Sequence, residues 1–443
     1  MVLLESGWIL RFAQDDKVGA QDDRRENLPP GAQGLSMSAV PTPAEAEKLI
    51  LGSMPTLPRE DCALAEAHGR VLREDLRADR DLPPFDRVTM DGYALRSAAL
   101  AAGTRTFRVS SVQAAGIRPG ALGRNADACI EIMTGAVLPA GADCVVPYED
   151  TVRDGAAVTV SRPAGIAAGN AVHRRGSDHP AGATVVRAGT RITGREIAVA
   201  AACGHSSLTV GCSPRIAVVA TGDELVDVDA AVAAHQIRRS NDYALRAALI
   251  GAGYPRVERY HLRDMQPEIE HMLWHIMAEY DAVLIAGGVS KGKFDFLPAE
   301  LDRQGVRRII HGVDQRPGKP FWFGISQRQT PVFGLPGNPV SSYTCLHRYV
   351  LPALAQAAGL APGTPLLAAL AAPVASHPKL ARLVPVAVAS GPDAVLLATP
   401  GRDNTSGDFA GLVGTDGFVE LPAGQAGFPA GYAARFWRWA GSV

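Results

Sequence analysis

Hydrophobic and polar positions change pattern along the first 210 residues. In "TPAEAEKLIL" (42–51), a Thr, a Pro and an early Glu precede apolar residues at helical spacing, which predicts a helix start. The Ala/Leu spacing of "CALAEAHGRVLRED" extends the predicted helical region to about residue 80. From about 104 to 190, short β-like runs between Gly/Pro turns predict a β-rich region. "GREIAVAAACGHSSLTV" then predicts a helix followed by a strand.

The pattern from 214 to about 360 alternates apolar strands with helices. Buried strands that end in polar or glycine-rich loops are predicted from "RIAVVATGDEL", "DAVLIAGGVSKG" and "PVFGLPGNPVSS". "SNDYALRAALIGAG" predicts a helix capped by Ser or Asn and ended by Gly. This alternation favours a parallel sheet covered by helices on both faces. The last residues, 362–443, return to short strands and predict a small β domain.

The length of 443 residues exceeds what one core accommodates and predicts two to four domains. The fold class expected is therefore multidomain α/β. The predicted division is a tail at 1–36, a helical and linking domain at 37–83 and 181–210, a β-rich domain at 84–180, an α/β domain at 211–361 and a β domain at 362–443. We interpret residues 1–36 as a disordered tail or the product of an upstream start site, because helical patterning begins only after Met37.

Composition narrows the classes of partner. The formal net charge of -1 gives no overall field that would favour nucleic acid or an anionic membrane, so any anion site must be local. No apolar run approaches the roughly 20 residues of a membrane helix. The six cysteines lack metal-ligand spacing, which indicates free thiols in a reducing cytoplasm. We expect a cytoplasmic protein with no nucleic-acid or membrane partner.

Three loops at predicted strand ends carry the first candidate chemistry. They contain "TGDEL" with Gly222, "GGVSKGKFD" with Gly287, Gly288 and Ser290, and "LPGNPVSS" with Gly337, Asn338, Ser341 and Ser342. Carboxyl ends of parallel strands meet at one sheet edge, where ligands bind. Glycines let backbone N–H groups approach an anion, and a following helix N-terminus favours negative charge. Together the loops indicate a phosphate or oxyanion cradle, although each loop alone is more typical of a tight turn.

Charged residues accompany these loops. Glu224 and Asp295 carry oxygen ligands of the kind that Mg²⁺ prefers beside a phosphate. Each of them could instead be a helix cap or a solvated surface acid. Arg316 and Lys319 lie in the Pro-Gly turn of "QRPGKPFWFG" (315–324) and could hold an oxyanion, or be solvated cations of a surface turn. Further acids lie in the dense loop "PPFDRVTMDGYALR" and in the segments "EIMTGAVLPAGADC" and "RRGSD". On physical grounds alone, these segments are interpreted as turns.

The chain carries, in order, the motifs "PPFDRVTMDGYALR", "IMTGAVLPAGADCVVP", "GSD", "ATGDELV", "GGVSKGKFDF", "RPGKPFWFG" and "LPGNPVSS". This ordered set resembles the MoeA family, the molybdopterin molybdenumtransferases, which includes the E domain of gephyrin. The resemblance runs from about Met37 to the C-terminus and is weakest beyond residue 362. It implies an elongated four-domain subunit, a homodimer, and a domain at about 210–360 with the fold of the molybdopterin adenylyltransferases.

The reaction that the resemblance implies inserts molybdate into adenylylated molybdopterin and releases AMP, with Mg²⁺ assisting. Its product is molybdenum cofactor, so transient contact with other proteins of that biosynthesis is implied. Residues implied to be catalytic are Asp91, Thr134, Asp178, Glu224, Asp264 and Asp295, of which Glu224 and Asp295 would also hold Mg²⁺. Residues implied to bind molybdopterin or molybdate are Gly222, Gly287, Gly288, Ser290, Arg316, Lys319, Pro320, Gly337, Asn338, Ser341, Arg382 and Ser406.

The sequence departs from the family pattern at a few positions. Arg316 stands where many members have Lys; it keeps the charge, and we expect it to keep the function. Lys291 and Lys293 make the "GGVSKGKFD" loop more basic than in some members.

Two other functions remain open from the sequence. The same fold serves as a dimeric scaffold in gephyrin, but a scaffold that lost catalysis would be expected to lose the acids or the turn that carries Arg316 and Lys319. Molybdopterin adenylyltransferase activity is the second alternative, and the additional domains and the "RPGKP" turn argue against it.

Overall fold

A computed structural model describes residues 40–289, 297–401 and 406–439 of the protein. In its first part the helices are α1 (Pro43–Ser53), α2 (Ser97–Ala101) and α3 (Gly194–Ala202). The strands are β1 (Arg59–Ala63), β2 (Leu76–Arg77), β3 (Arg87–Val88), β4 (Gly92–Leu95), β5 (Thr106–Gln113), β6 (Ala128–Ile132), β7 (Cys144–Pro147), β8 (Thr151–Asp154), β9 (Ala157–Val160), β10 (Val172–His173), β11 (Thr184–Val186) and β12 (Ser207–Gly211). Six of them form one sheet in the order β7-β4-β6-β5-β9-β8, so the predicted β-rich region is confirmed.

The predicted helix between 59 and 80 is wrong. Helix α1 ends at Ser53, and Pro55 and Pro58 follow it. The next residues form β1, which pairs antiparallel with β12 so that Cys62 lies opposite Leu208. Both side chains are buried in a small shared core. Pairing with a strand far along the chain outweighs the helical preference of the Ala-rich sequence, which is weak compared with tertiary packing.

The second part contains strands β13 (Ile216–Thr221), β14 (Leu225–Val226), β15 (Ile237–Arg238), β16 (Val257–Leu262), β17 (Ala282–Ala286), β18 (Arg307–His311), β19 (Gln315–Arg316), β20 (Trp322–Ile325) and β21 (Pro331–Leu335). Its helices are α4 (Asn241–Gly251), α5 (Gln266–Glu279), α6 (Leu297–Arg303), α7 (Pro339–Cys345) and α8 (Leu351–Ala357), with a π-helical turn Leu346–Val350 between the last two. The main sheet has the order β16-β13-β17-β21-β20-β18.

The prediction of a parallel sheet is correct for β16, β13, β17 and β21 and wrong for the other two strands. Strand β20, which contains the "FWFG" run, is antiparallel to both β21 and β18. The connection from β20 to β21 is a tight turn in which the Ser326 N–H donates to the Thr330 carbonyl. A connection this short can only join antiparallel neighbours, whereas parallel strands need a long crossover.

Helices cover both faces of this sheet, as predicted. Ile216 and Val218 of β13 pack with Leu249 of α4 on one face. Val219 packs with Leu273 of α5 on the opposite face. The alternation of side chains along a strand therefore divides one apolar run between two cores. This double burial fixes the strands, and with them the loops at their carboxyl ends.

The last part forms a small closed sheet of β22 (Leu366–Leu370), β23 (Ala381–Ser390), β24 (Leu396–Pro400), β25 (Gly417–Leu421) and β26 (Ala433–Arg438). The order β23-β24-β22-β26-β25 closes because β23 also pairs with β25, and this confirms the predicted C-terminal β domain. Strand β19 adds to it in parallel to β23. The cation turn (residues 315–320) thus connects the α/β part to the barrel. The exact division into domains stays a prediction.

Two further sequence expectations concern cysteines and membrane spans. All six cysteines are free thiols, and five of them are buried. None of the helices within the described ranges combines the length and the apolar character needed to cross a membrane.

Candidate active site

A cavity of about 620 Å³ lies at the carboxyl ends of β13, β17 and β21, and we call it the strand-end cavity. Predicted binding residues that line it are Gly222, Gly287, Gly288, Pro320, Gly337 and Asn338. The three loops therefore meet at one sheet edge, as the parallel order of these strands requires. Ser290 lies outside the described residues. The binding roles themselves stay predictions.

Gly287 brings two of these loops into close contact. Its φ of 105° lies in the region that favours glycine, and a Cβ there would be 2.9 Å from the carbonyl oxygen of Thr221. The Thr221 hydroxyl is buried and has no hydrogen-bond partner within the described chain. Because an unpartnered buried hydroxyl is costly, this group at the cavity wall is suited to bind a polar ligand.

Carboxylates lie on the wall of the strand-end cavity. Glu224 and Asp264 both line it, and the Glu224 carboxylate occupies the space where a Cβ on Gly222 would be. The Asp264 N–H donates to Oδ1 of Asp223 over 3.1 Å. Asp295, the other predicted magnesium ligand, lies outside the described residues. Among the described residues, no three His, Cys, Asp or Glu side chains form a group that could hold a metal ion alone.

The carboxylates of Glu224 and Asp264 nevertheless fit the way in which proteins usually bind Mg²⁺. Mg²⁺ in phosphate sites takes one or two carboxylates from the protein and completes its shell with phosphate oxygens and water. Glu224 and Asp264 supply oxygen atoms of that kind at the edge where a phosphate would lie. A ready-made cage of protein ligands is not required.

A second cavity of about 510 Å³, the cation-turn cavity, lies between the cation turn and the C-terminal barrel. Predicted binding residues that line it are Arg316, Lys319, Pro320, Asn338, Ser341, Arg382 and Ser406. The pairing of β19 with β23 puts Arg316 directly opposite Arg382. Neither Arg316 nor Lys319 makes a side-chain hydrogen bond or ion pair with any described residue, and both are exposed. Arg382 donates to the Ala375 carbonyl over 2.6 Å.

The two cavities adjoin, since Pro320 and Asn338 line both. Asn338 Nδ2 donates to the Ser406 hydroxyl over 2.9 Å, and the Val340 N–H donates to the Ser406 carbonyl over 3.1 Å. These bonds fix a loop of the barrel against the start of α7. Ser406, one of the predicted binding residues, therefore lies at the junction of the two cavities.

The remaining predicted catalytic residues lie in the β-rich region and line neither cavity. Thr134 donates to Oδ1 of Asp91 from its backbone N–H over 2.6 Å and from its hydroxyl over 2.7 Å. The backbone hydrogen bond and the hydroxyl hydrogen bond hold the pKa of Asp91 below its usual value. Asp178 lies 2.9 Å from Nε2 of His173. Within one described chain, the structure does not bring these acids to the cavities.

Three family models match the chain in succession. The MoeA N-terminal region (domain I and II) matches residues 42–204, the probable molybdopterin binding domain matches residues 217–356, and the MoeA C-terminal region (domain IV) matches residues 368–439. A molybdopterin molybdenumtransferase of Synechocystis sp. is 38% identical over 397 residues, which cover 89% of this chain and 99% of the relative. The chain belongs to the MoeA family.

More distant MoeA relatives agree with this assignment. The molybdopterin molybdenumtransferase of Staphylococcus epidermidis is 30% identical over 394 residues, 87% of this chain and 93% of the relative. A crystal structure of the molybdopterin biosynthesis MoeA protein from Pyrococcus horikoshii matches with a TM-score of 0.73 and 28% identity, covering 90% of this chain and 99% of that one. The resemblance and the multidomain α/β fold are confirmed, and the relatives are enzymes.

The structure also shows cavity residues that were not predicted from the sequence. Arg238 of β15 lines the strand-end cavity and is exposed. Asn241, also on its wall, begins α4 and donates from Nδ2 to the Gly337 carbonyl over 2.8 Å, which joins two loops. The predicted cap Ser240 makes no side-chain capping bond. The signal for Arg238 was "RRSN", two cations directly before a predicted helix.

Proposed function

We propose that this protein is a molybdopterin molybdenumtransferase that inserts molybdate into adenylylated molybdopterin and releases AMP. The observation that carries the proposal is the pair of adjoining cavities. One has glycine-rich strand ends, two carboxylates and an unpartnered hydroxyl, as a nucleotide phosphate would need. The other collects three cations, as a doubly charged tetrahedral oxyanion would need.

Electrostatics explains why the two cavities must adjoin. Two anions brought together in a cleft of low dielectric repel one another by several kcal/mol unless cations lie beside them. Arg316, Lys319 and Arg382 supply positive charge on the oxyanion side. Mg²⁺, when bound by Glu224 and Asp264 or by Asp295, would lower the charge of the phosphates and of the leaving AMP. The contribution of the protein is therefore mainly positioning and charge stabilisation.

A homodimer accounts for the acids that line neither cavity. We propose that Asp91, with Thr134, and Asp178 complete the active site of a second copy of the chain. The support is that Asp91 is exposed and held ionised by Thr134 while lining neither cavity of its own chain. We place the enzyme in the cytoplasm, in transient contact with other proteins that make molybdenum cofactor.

The test is AMP release by the purified protein. With adenylylated molybdopterin, Mg²⁺ and molybdate, we expect AMP in an amount that rises and saturates with molybdate. No AMP at any molybdate concentration would contradict the proposal and leave the scaffold alternative. ATP-dependent adenylylation of free molybdopterin would instead support the adenylyltransferase alternative.

A further inference from the structure

A glutamine without solvent exposure begins the cation turn. Gln315 is 0% exposed, although its neighbour Arg316 is exposed and lines the cation-turn cavity. A buried amide must have its donors and its acceptor occupied, because leaving them unpaired costs stability. The contacts of this side chain therefore indicate what it holds in place.

The Gln315 amide joins the turn to the π-helical turn between α7 and α8. Its Nε2 donates to the Pro317 carbonyl over 3.0 Å and lies 3.5 Å from Sγ of Cys345. Its Oε1 accepts a hydrogen bond from the Tyr349 hydroxyl. Burial raises the pKa of Tyr349 well above its usual value, so this phenol remains a donor. The orientation of the amide is thus fixed from both ends.

Gly318 completes this attachment. Its φ is 95°, and a Cβ at this position would be 2.6 Å from Sγ of Cys345, so the turn lies directly on that sulfur. Only glycine allows both the backbone conformation and the close approach. The buried side of the turn is therefore held by Gln315, Cys345 and Tyr349, whereas Lys319 lies on its exposed side.

We propose that Gln315 is a positioning residue for the oxyanion: its buried amide, held by Tyr349, fixes the backbone from which Arg316 and Lys319 reach the cation-turn cavity. The inference rests on the proposed function and deepens it. A cation on a fixed backbone loses less conformational entropy when it binds an anion than a cation on a mobile one. Loss of the amide frees the Pro317 carbonyl and loosens the turn without removing any charge from the cavity.

The test replaces Gln315 with Met, which has similar size and no amide. Binding of molybdate alone is measured by calorimetry, and AMP release is measured as a function of molybdate and of the nucleotide substrate. We expect Gln315→Met to weaken molybdate binding and raise its half-saturating concentration about tenfold, the effect of losing the one buried hydrogen bond that holds the Pro317 carbonyl of the turn. The Michaelis constant for the nucleotide substrate should stay unchanged. Tyr349→Phe should also raise the half-saturating molybdate concentration, by a smaller factor.

The matched control is Gln113→Met. Gln113 is 3% exposed, and its amide is likewise bonded at both ends, here by two backbone groups: it donates to the Val137 carbonyl over 2.6 Å and accepts from the Gly120 N–H over 2.8 Å. It lies in the β-rich region and lines neither cavity. Its loss should lower thermal stability and leave molybdate binding unchanged.

Unchanged molybdate affinity in a folded Gln315→Met variant would overturn the proposal. If that variant fails to fold, Tyr349→Phe decides, and unchanged affinity there overturns it as well. An equal loss of molybdate affinity in the Gln113→Met control would also contradict it, because the effect would then follow from general destabilisation. Suppose that Gln315→Met binds molybdate more weakly but the wild-type protein releases no AMP. The proposed function would then be refuted, and the positioning role of Gln315 would be retained.

Discussion

At the scale of single residues, the cation-turn cavity brings like charges together. Arg316 lies opposite Arg382 across β19 and β23, and Lys319 lines the same cavity. Like charges at this spacing repel one another. Neither Arg316 nor Lys319 has an ion-pair partner among the described residues. An anion that binds between Arg316 and Lys319 would reduce the repulsion, which is the physical reason to expect a ligand here.

Lys319→Ala tests this charge directly. We expect the half-saturating molybdate concentration in AMP release to rise about 10- to 100-fold, the effect of one lost charge-assisted hydrogen bond. Affinity for the nucleotide substrate should change little, because the strand-end cavity keeps its residues. The exposed Lys48→Ala on α1 is the matched control and should change neither value. Equal losses for molybdate and nucleotide would show that Lys319 holds a phosphate.

His347 makes the stability of the fold depend on pH. Burial lowers its pKa from 6.5 to about 4, although the Tyr343 carbonyl, 2.8 Å from Nδ1, opposes the shift. Between these two values the unfolded chain binds a proton that the folded chain does not. The free energy of unfolding should therefore decrease as pH falls from about 6.5 to about 4, by roughly 3 kcal/mol.

Denaturant unfolding of the wild type and of His347→Gln at pH 7 and pH 4.5 checks this dependence. The variant should show a smaller difference between the two pH values than the wild type, because carboxylates with a lowered pKa, such as Glu47, keep their own contribution. The exposed His271→Gln on α5 serves as the control and should keep the wild-type difference. A wild-type difference that survives His347→Gln would assign the pH dependence to other groups.

At the scale of elements, a buried ion-pair network joins α1, the π-helical turn and the barrel. Arg348 is 0% exposed, and its guanidinium lies 3.0 Å from Glu47 of α1 and 2.7 Å from Glu420 of β25. It also lies over the Trp437 ring, 4.4 Å from the centroid. Burial opposes ionisation of Glu47, but hydrogen bonds and charges from Arg435 and Arg348 outweigh it and lower its pKa. The network fixes the barrel that carries Arg382.

Arg348→Met should lower the free energy of unfolding by about 3–5 kcal/mol, because it leaves the largely buried Glu420 carboxylate without its cation and Glu47 with Arg435 alone. Arg435→Met is the matched control: it removes a partner of the same Glu47, but its side chain is 35% exposed, and the loss should be roughly 1 kcal/mol. Chemical denaturation of both variants gives the comparison. Equal losses of unfolding free energy in the two variants would contradict the prediction, because the buried ion pairs of Arg348 would then stabilise the fold no more than the exposed ion pair of Arg435.

Elements stabilised by local signals could be predicted from the sequence. Thr42 and Glu45 form the capping box of α1, and both residues were visible as a start signal. The strand β13 is fully buried and was visible as a continuous apolar run. The three glycine loops followed from the rule for strand ends.

Elements that depend on distant partners could not be predicted. The strand β1 exists because β12 pairs with it, and its own residues resemble a helix. Strand β19 has two residues, and no local pattern predicts that it pairs with β23. This pairing places Arg316 opposite Arg382. The buried contact between Gln315 and Tyr349 likewise joins residues of two separate elements. The motif resemblance supplied candidate residues, whereas their arrangement came from tertiary packing.

At the scale of the whole molecule, the two cavities of one chain lack the predicted catalytic acids of the β-rich region. A shared site in a homodimer predicts complementation between two inactive variants. Asp91→Ala removes the proposed contribution of one copy, and Lys319→Ala removes that of the other. In a mixed dimer one site then contains both defects and the other contains none, so co-refolded variants should regain about a quarter of wild-type AMP release at moderate molybdate.

Each variant refolded alone is the control for this experiment and should remain near its own low activity. Sites built within single chains would contradict the prediction, because every site in a mixed dimer would then carry one defect and the mixture would gain nothing. The same samples run on a sizing column establish whether mixed dimers formed.

The central claim is that molybdate binds between the cation turn and the barrel, beside the nucleotide at the strand ends. Crystals soaked with molybdate and measured near the molybdenum absorption edge test it most directly. The account predicts one anomalous peak in the cation-turn cavity, within contact of Arg316, Lys319 and Arg382, and its loss in crystals of Lys319→Ala. A peak confined to the strand-end cavity, or one that persists unchanged in Lys319→Ala, would contradict it.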